Sequence, residues 1–166
     1  MSPMNNPLTI VFVVDTYGLS TNGTTMTAMR TAEALKKRGH TVRVLTGSPS
    51  DQPGVFSAGY RTWFPLYQIS RSQGMYLAKG KKDVINKAIE GSDIVHMLLP
   101  FKIQKKAKKL ADAKGIATTA AFHLQPENIT ATLHLDRFDF ITDKLYGLFR
   151  KFYDTFTHVH CPSKMI

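Results

Sequence analysis

The sequence predicts an α/β fold: a doubly wound, mainly parallel sheet with helices on both faces. Three observations predict it. Residues 8–14 (LTIVFVV) form an almost unbroken apolar, β-rich run, the pattern of a strand covered on both faces. Strand-like and helix-like periods then alternate along the chain, as βαβ units require. The connections are short, which favours right-handed crossovers.

Taken in order, residues 8–14 are the first strand, and a polar, glycine-containing loop over 16–25 leads into a helix. On that helix Met26, Met29, Ala32 and Leu35 recur at helical spacing up to Arg38, and Gly39 is a natural stop. Residues 42–46 (VRVLT) are the second strand. Between Ser48 and Gly80 the residues Pro49, Pro53, Gly54, Gly59, Pro65 and Gly74 break every period, leaving 55–60 as a candidate strand. A helix over 82–90, a strand over 93–99 (DIVHMLL), a helix over 101–114 closed by Gly115, and a strand over 116–122 (IATTAAF) follow. The aromatic-rich segment 139–156 is helical, with Ile141, Leu145, Leu148, Phe152 and Phe156 on one stripe, and 157–161 is a short last strand. Pro162-Ser163 reads as a turn and N-cap whose helix has too few residues to form, as in a truncated chain.

With 166 residues, residues 1–166 make one domain, large enough to hold a core without metal or cross-link. The single Cys161 excludes an internal disulfide, suits a reducing compartment, and reads as a small core residue in the last strand. No apolar run approaches the roughly 20 residues of a membrane span, and no basic n-region opens the chain, so a cytoplasmic location is expected. Twenty-two Lys and Arg against twelve Asp and Glu give +10, which attracts phosphate-rich partners.

In open parallel sheets ligands bind beyond the carboxyl ends of the strands, which directs attention to residues 15–25, 96–101 and 123–128. The first loop lacks both G-x-G-x-x-G and the P-loop pattern, against a dinucleotide dehydrogenase or P-loop NTPase. Asn22-Gly23-Thr24-Thr25 opens a helix whose free N–H groups either receive a phosphate or simply form a turn and cap. Asp15 either orders that loop through backbone N–H bonds or touches a ligand. His123 follows an apolar strand and precedes Gln125, Pro126, Glu127 and Asn128, a position from which an imidazole either shares a proton with a substrate hydroxyl or serves as a hydrogen-bonded structural residue, the commoner role of a lone histidine at a strand end. His96, inside its strand, reads as a core histidine held by hydrogen bonds. His158 and His160 alternate on one short strand but lack partners at metal-ligand spacing, so neither metal nor cofactor is expected. No nucleophile elbow, Cys–His pattern or paired carboxylates signal a hydrolase.

Residues 102–114 hold Lys102, Lys105, Lys106, Lys108, Lys109 and Lys114 against Asp112 alone. Ile103, Ala107, Leu110 and Ala111 form a stripe that docks on the sheet and leaves the lysines outward, as a solvated face or an anionic-membrane contact. Phe149, Arg150, Lys151 and Tyr153 extend that patch or serve the core.

Four segments together, IVFVVDTYGLSTNGTTMTAMRTAEALKKRGHTVRVLTG, SDIVHMLLP, GIATTAAFHLQPEN and THVHCPSKMI, resemble the amino-terminal half of family 4 (group 1) glycosyltransferases with the GT-B fold. His-x-Gln-Pro-Glu-Asn after a strand is most similar to lipid-acceptor members, diacylglycerol glucosyltransferases and phosphatidylinositol mannosyltransferases. The resemblance implies a two-domain enzyme in which residues 1–166 are the Rossmann-like acceptor side, the donor-binding domain lies outside this chain, and the fragment alone is inactive. It implies a retaining, metal-independent transfer from a nucleotide sugar, with Gly23 and Thr24 at the donor diphosphate and His123 beside the transferred sugar. Asp15, Tyr17, Gln125, Glu127 and Asn128 become candidate acceptor or cleft residues. Lys102, Lys105, Lys106, Lys108 and Lys109 become candidate membrane contacts on the inner face of the cell membrane. The first loop departs from relatives that carry Pro and paired Gly there. The rival reading is a stand-alone basic α/β module binding anionic lipid or nucleic acid; no nucleic-acid motif is visible, and none is expected as a partner.

Overall fold

A computed structural model describes residues 6–18, 23–61, 76–132 and 137–161. Asn22 and the Pro162-Ser163 turn lie outside them. The strands are β1 (Thr9–Val13), β2 (Thr41–Thr46), β3 (Val55–Ser57), β4 (Ile94–Met97), β5 (Ala117–Ala121) and β6 (Val159–His160). They form one sheet in the order β3-β2-β1-β4-β5-β6, every neighbouring pair parallel. The helices are α1 (Gly23–Lys37), α2 (Lys82–Ile89), α3 (Lys102–Ala113), α4 (Pro126–Thr132) and α5 (Asp139–Tyr153). This is a doubly wound, Rossmann-like α/β fold.

Alternation along β1 divides the core into two layers, because successive side chains point to opposite faces. Ile10, Phe12 and Val14 join Val42, Val44 and Leu98 against Ala28 and Ala32 of α1. Val11 and Val13 join Leu45, Val95, Met97 and Ala120 on the other face, under α2, α3 and Phe152 of α5. Each large side chain buried this way contributes roughly 1.5–3 kcal/mol.

Several elements differ from the sequence expectation. The buried stripe of α1 is Thr25, Ala28 and Ala32, while Met26 and Met29 are half-buried at its flanks. Small side chains let the helix lie close to the sheet. On α5 the buried residues are Phe149 and Phe152, whereas Leu148 is 45% exposed. The candidate strand over 55–60 keeps only its first three residues in the sheet. A helix over 126–132 is added where the sequence showed no period, Ile129 and Ala131 being too few to mark a face. Cys161 is exposed, because β6 is a two-residue edge strand with no neighbour beyond it. Among the described residues no helix is long and apolar enough to cross a membrane.

Among the described glycines Gly47 marks the tightest approach: a Cβ there would lie 2.9 Å from Ala78 Cα and 3.0 Å from the Asp15 carbonyl oxygen. Gly147, within exposed α5, has nothing within 4 Å of the same position. Gly47→Ala is therefore expected to destabilise by about 1–3 kcal/mol, and Gly147→Ala to stabilise by about 0.5–1 kcal/mol. Urea midpoints of the two variants check both signs.

Candidate active site at the carboxyl edge of the sheet

Because every strand runs the same way, the loops after β1, β4 and β5 leave from one edge. The strand order reverses between β1 and β4. From β1 the chain crosses to β2 through α1 on one face, and from β4 it crosses to β5 through α3 on the other, so the loops part and leave a crevice.

Buried polar groups build the β1 side of this crevice. Asp15 is 2% exposed: its Oδ1 accepts the Ala78 N–H at 2.9 Å and its Oδ2 accepts Gln104 Nε2–H at 2.7 Å. Its carbonyl accepts the Gly47 N–H at 2.9 Å and the Thr46 hydroxyl at 3.1 Å. Of the two roles open to Asp15 in the sequence, this geometry is that of ordering the loop. Burial pushes its carboxyl up to about 6, with the bonds from Ala78 and Gln104 opposing. Thr16 accepts the Tyr76 N–H on Oγ1 at 2.8 Å and the Thr25 hydroxyl on its carbonyl at 3.0 Å, which ties the loop to the first turn of α1. The Tyr17 N–H donates to Ser48 Oγ at 3.0 Å; the half-buried Tyr17 phenol is pushed up by burial.

Gly23 opens α1, and Thr24 follows it. Among the described residues nothing lies within 4 Å of a Cβ built on Gly23. The first turn carries no acidic residue of its own to oppose an anion at the positive end of the helix dipole.

On the β5 side, His123 is half-buried with its ring centroid 6.3 Å from that of His160. Burial, then the neighbouring His160, lower its pKa from the ordinary imidazole value. His96 shares this surface: its Nδ1 lies 2.8 Å from Thr119 Oγ1 and its ring 5.4 Å from Phe12. Burial, with His123 and His160 nearby, lowers it to about 4. Both imidazoles are thus neutral at pH 7, each able to donate and to accept one hydrogen bond. His96, His123 and His160 line a groove of about 340 Å³ whose opposite wall includes Thr27 and Thr31 of α1. The His123 corner therefore faces the helix that Gly23 begins.

Pro126 at the first position of α4 suits a residue without an N–H. Gln125, Glu127 and Asn128 are exposed beside it, and the Glu127 carboxylate accepts the Tyr146 hydroxyl at 2.7 Å. That bond is the main cause raising the Tyr146 pKa.

A family model, Glycosyltransferase Family 4, matches residues 21–166, from the start of α1 through all the later elements. The chain belongs to glycosyltransferase family 4. No curated protein matches it. The family's general chemistry is glycosyl transfer, and the crevice between β1 and β4 is the place in this family 4 domain where the fold assembles polar groups.

The lysine helix divides. Lys106 donates to the carbonyls of Lys79 and Gly80 at 3.1 and 2.7 Å. Lys108 departs from the outward expectation: it pairs with Asp112 at 2.8 Å, and its Nζ lies over the Phe156 ring, 4.7 Å from the centre, a cation–π contact. Lys102, Lys105 and Lys109 are exposed, and the latter two line a groove with Lys151 and Leu148 between α3 and α5. Phe149 is core rather than patch.

Gln104 was missed from sequence, although a signal exists: it sits three and seven residues before Ala107 and Ala111, on the buried face of α3. Tyr146 and Ser48 carried no pattern.

His96 sets a pH dependence. Its folded-state pKa lies below the unfolded value, so its contribution to stability is complete above about 6.5 and is lost as pH falls through about 4. The loss is on the order of 3 kcal/mol. Thermal melts from pH 7.5 to 4 are expected to fall more steeply for the wild type than for His96→Asn.

Proposed function

We propose that this domain is the acceptor side of a retaining hexosyltransferase that moves a sugar from a nucleotide-sugar donor to a lipid or other membrane-associated acceptor. The observation that carries the reading is the half-buried His123 imidazole lining one groove with Thr27 and Thr31 of α1, at the edge where Gly23 begins that helix. An uncharged imidazole donates to a hydroxyl of the transferred sugar without adding positive charge beside an oxocarbenium-like transition state. Gly23 and Thr24 offer main-chain N–H groups to the donor diphosphate, and an uncluttered Gly23 lets phosphate oxygens approach the backbone. Tyr17, Gln125, Glu127 and Asn128 edge the acceptor side, with Asp15 ordering the loop behind them. Most donor contacts belong to a second domain, so residues 1–166 alone do not turn over substrate.

The lipid part of the proposal rests on Lys102, Lys105 and Lys109, exposed on one helix beside Lys151 and Leu148. Such a surface seats a cytoplasmic protein peripherally on the anionic inner face of the cell membrane, each lysine adding about 1 kcal/mol.

Two measurements test these statements. In the enzyme carrying both domains, His123→Ala is expected to lower kcat by roughly 10²–10³-fold; a change below threefold removes His123 from the chemistry. For the surface, replacing Lys102, Lys105 and Lys109 by Gln is expected to weaken binding to vesicles containing anionic lipid by roughly 100-fold at low salt. Equal sedimentation with neutral vesicles removes the membrane contact and leaves the transferase reading standing.

A further inference from the structure

Asp15 is the only buried carboxylate among the described residues, and no cation accompanies it. Its surroundings come from three elements: Thr46 and Gly47 at the end of β2, Ala78 in the segment before α2, and Gln104 on α3. The titratable groups on these elements include Tyr17 on the same loop, Tyr76, Lys79 and Lys81 around Ala78, and Lys105 and Lys106 beside Gln104 on α3. None hydrogen-bonds or ion-pairs with the carboxylate; Lys106 donates instead to the carbonyls of Lys79 and Gly80.

Gln104 is fully buried, and among the described residues its Oε1 has no hydrogen-bond partner. A buried amide oxygen left unpaired is costly. An ionised Asp15 can only accept, so it engages Nε2–H and leaves Oε1 idle. A protonated Asp15 carries an Oδ2–H, and turning the amide over lets Oε1 accept it. Each protonation state therefore has its own amide orientation, and the proton comes from solvent.

We propose that Asp15 and Gln104 form a proton-responsive latch that sets how tightly the segment around Ala78 is held against the loop from β1 to α1. With Asp15 ionised, the Ala78 N–H donates to a charged oxygen, the stronger kind of bond. With Asp15 neutral the grip relaxes, and it relaxes next to Tyr76, whose N–H is held by Thr16 on the loop that leads to Gly23. Burial places the changeover near pH 6. Asp15 and Gln104 are thus positioning residues: they act on the crevice through the loops they hold.

The latch makes two quantities move in opposite directions as pH falls. The Asp15 contribution to global stability rises, because the folded state binds the proton more readily than the unfolded chain, whose carboxyl titrates near 3.8, while His96 acts in the opposite sense in every variant. Local protection of Ala78 falls. The test compares the whole chain as wild type, Asp15→Asn and Gln104→Met, by urea unfolding and by amide hydrogen exchange normalised for intrinsic rates. Between pH 7.5 and 5 the wild-type folding constant is expected to gain roughly tenfold relative to Asp15→Asn, the subtraction removing the histidines common to both. Over the same range the Ala78 and Tyr76 amides are expected to lose protection several-fold in the wild type and not in Asp15→Asn. Gln104→Met removes a donor to the ionised form, so the changeover is expected at higher pH. Parallel pH profiles for wild type and Asp15→Asn would overturn the latch, as would protection that rises with stability, and an unshifted changeover in Gln104→Met removes the glutamine from it.

Discussion

Strand β1 is hydrogen-bonded along both edges, to β2 and β4, and covered on both faces, and the rest of the molecule depends on that double burial. A strand so enclosed has its polar backbone satisfied only while the ladder lasts. Where it ends, the chain must supply donors and acceptors from elsewhere without admitting water. Asp15, Thr16, Thr46 and Ser48 do this, and they draw in Ala78 and Gln104 from distant parts of the chain. The crevice is thereby framed by groups whose first task is to finish a buried strand.

The same constraint explains how charge is distributed. Near the crevice the groups are held neutral or partly so: burial and mutual proximity disfavour the imidazolium forms of His96 and His123, and burial disfavours the carboxylate of Asp15. The excess of positive charge stands outside, on the exposed side of α3. That helix serves both regions at once. Ile103, Gln104, Ala107 and Ala111 face inward, while Lys102, Lys105 and Lys109 face solvent. In this family 4 glycosyltransferase domain the imidazole-lined groove lies on the α1 face of the sheet and the basic surface on the α3 face.

Much of the architecture was legible before the structure. The apolar runs that became β1, β2, β4 and β5, and the helices between them, follow from period and from their glycine stops, because such strands have few alternatives to double burial. Legibility failed where burial depends on neighbours rather than on period. Met26 and Met29 were expected inward, yet Thr25, Ala28 and Ala32 lie against the sheet, since close approach favours small side chains. Leu148 and Cys161 were expected in the core and are exposed: Leu148 lines the open groove between α3 and α5, and Cys161 follows the edge strand β6, which has no neighbour beyond it. Lys108 turned to Asp112 and Phe156, a pairing that needs α3 and the end of α5 side by side.

What the sequence determined by itself was the succession of strands and helices, the parallel winding, and the loops that would gather at one edge, because periodicity and chain direction are local properties. What only the tertiary structure decided was which polar groups meet. Asp15 and Gln104 are 89 residues apart, Thr16 and Tyr76 are 60 apart, and the groove joins His123 to α1 across two intervening strands. Contacts of that range are specified by the packing of the whole sheet, and no local pattern encodes them.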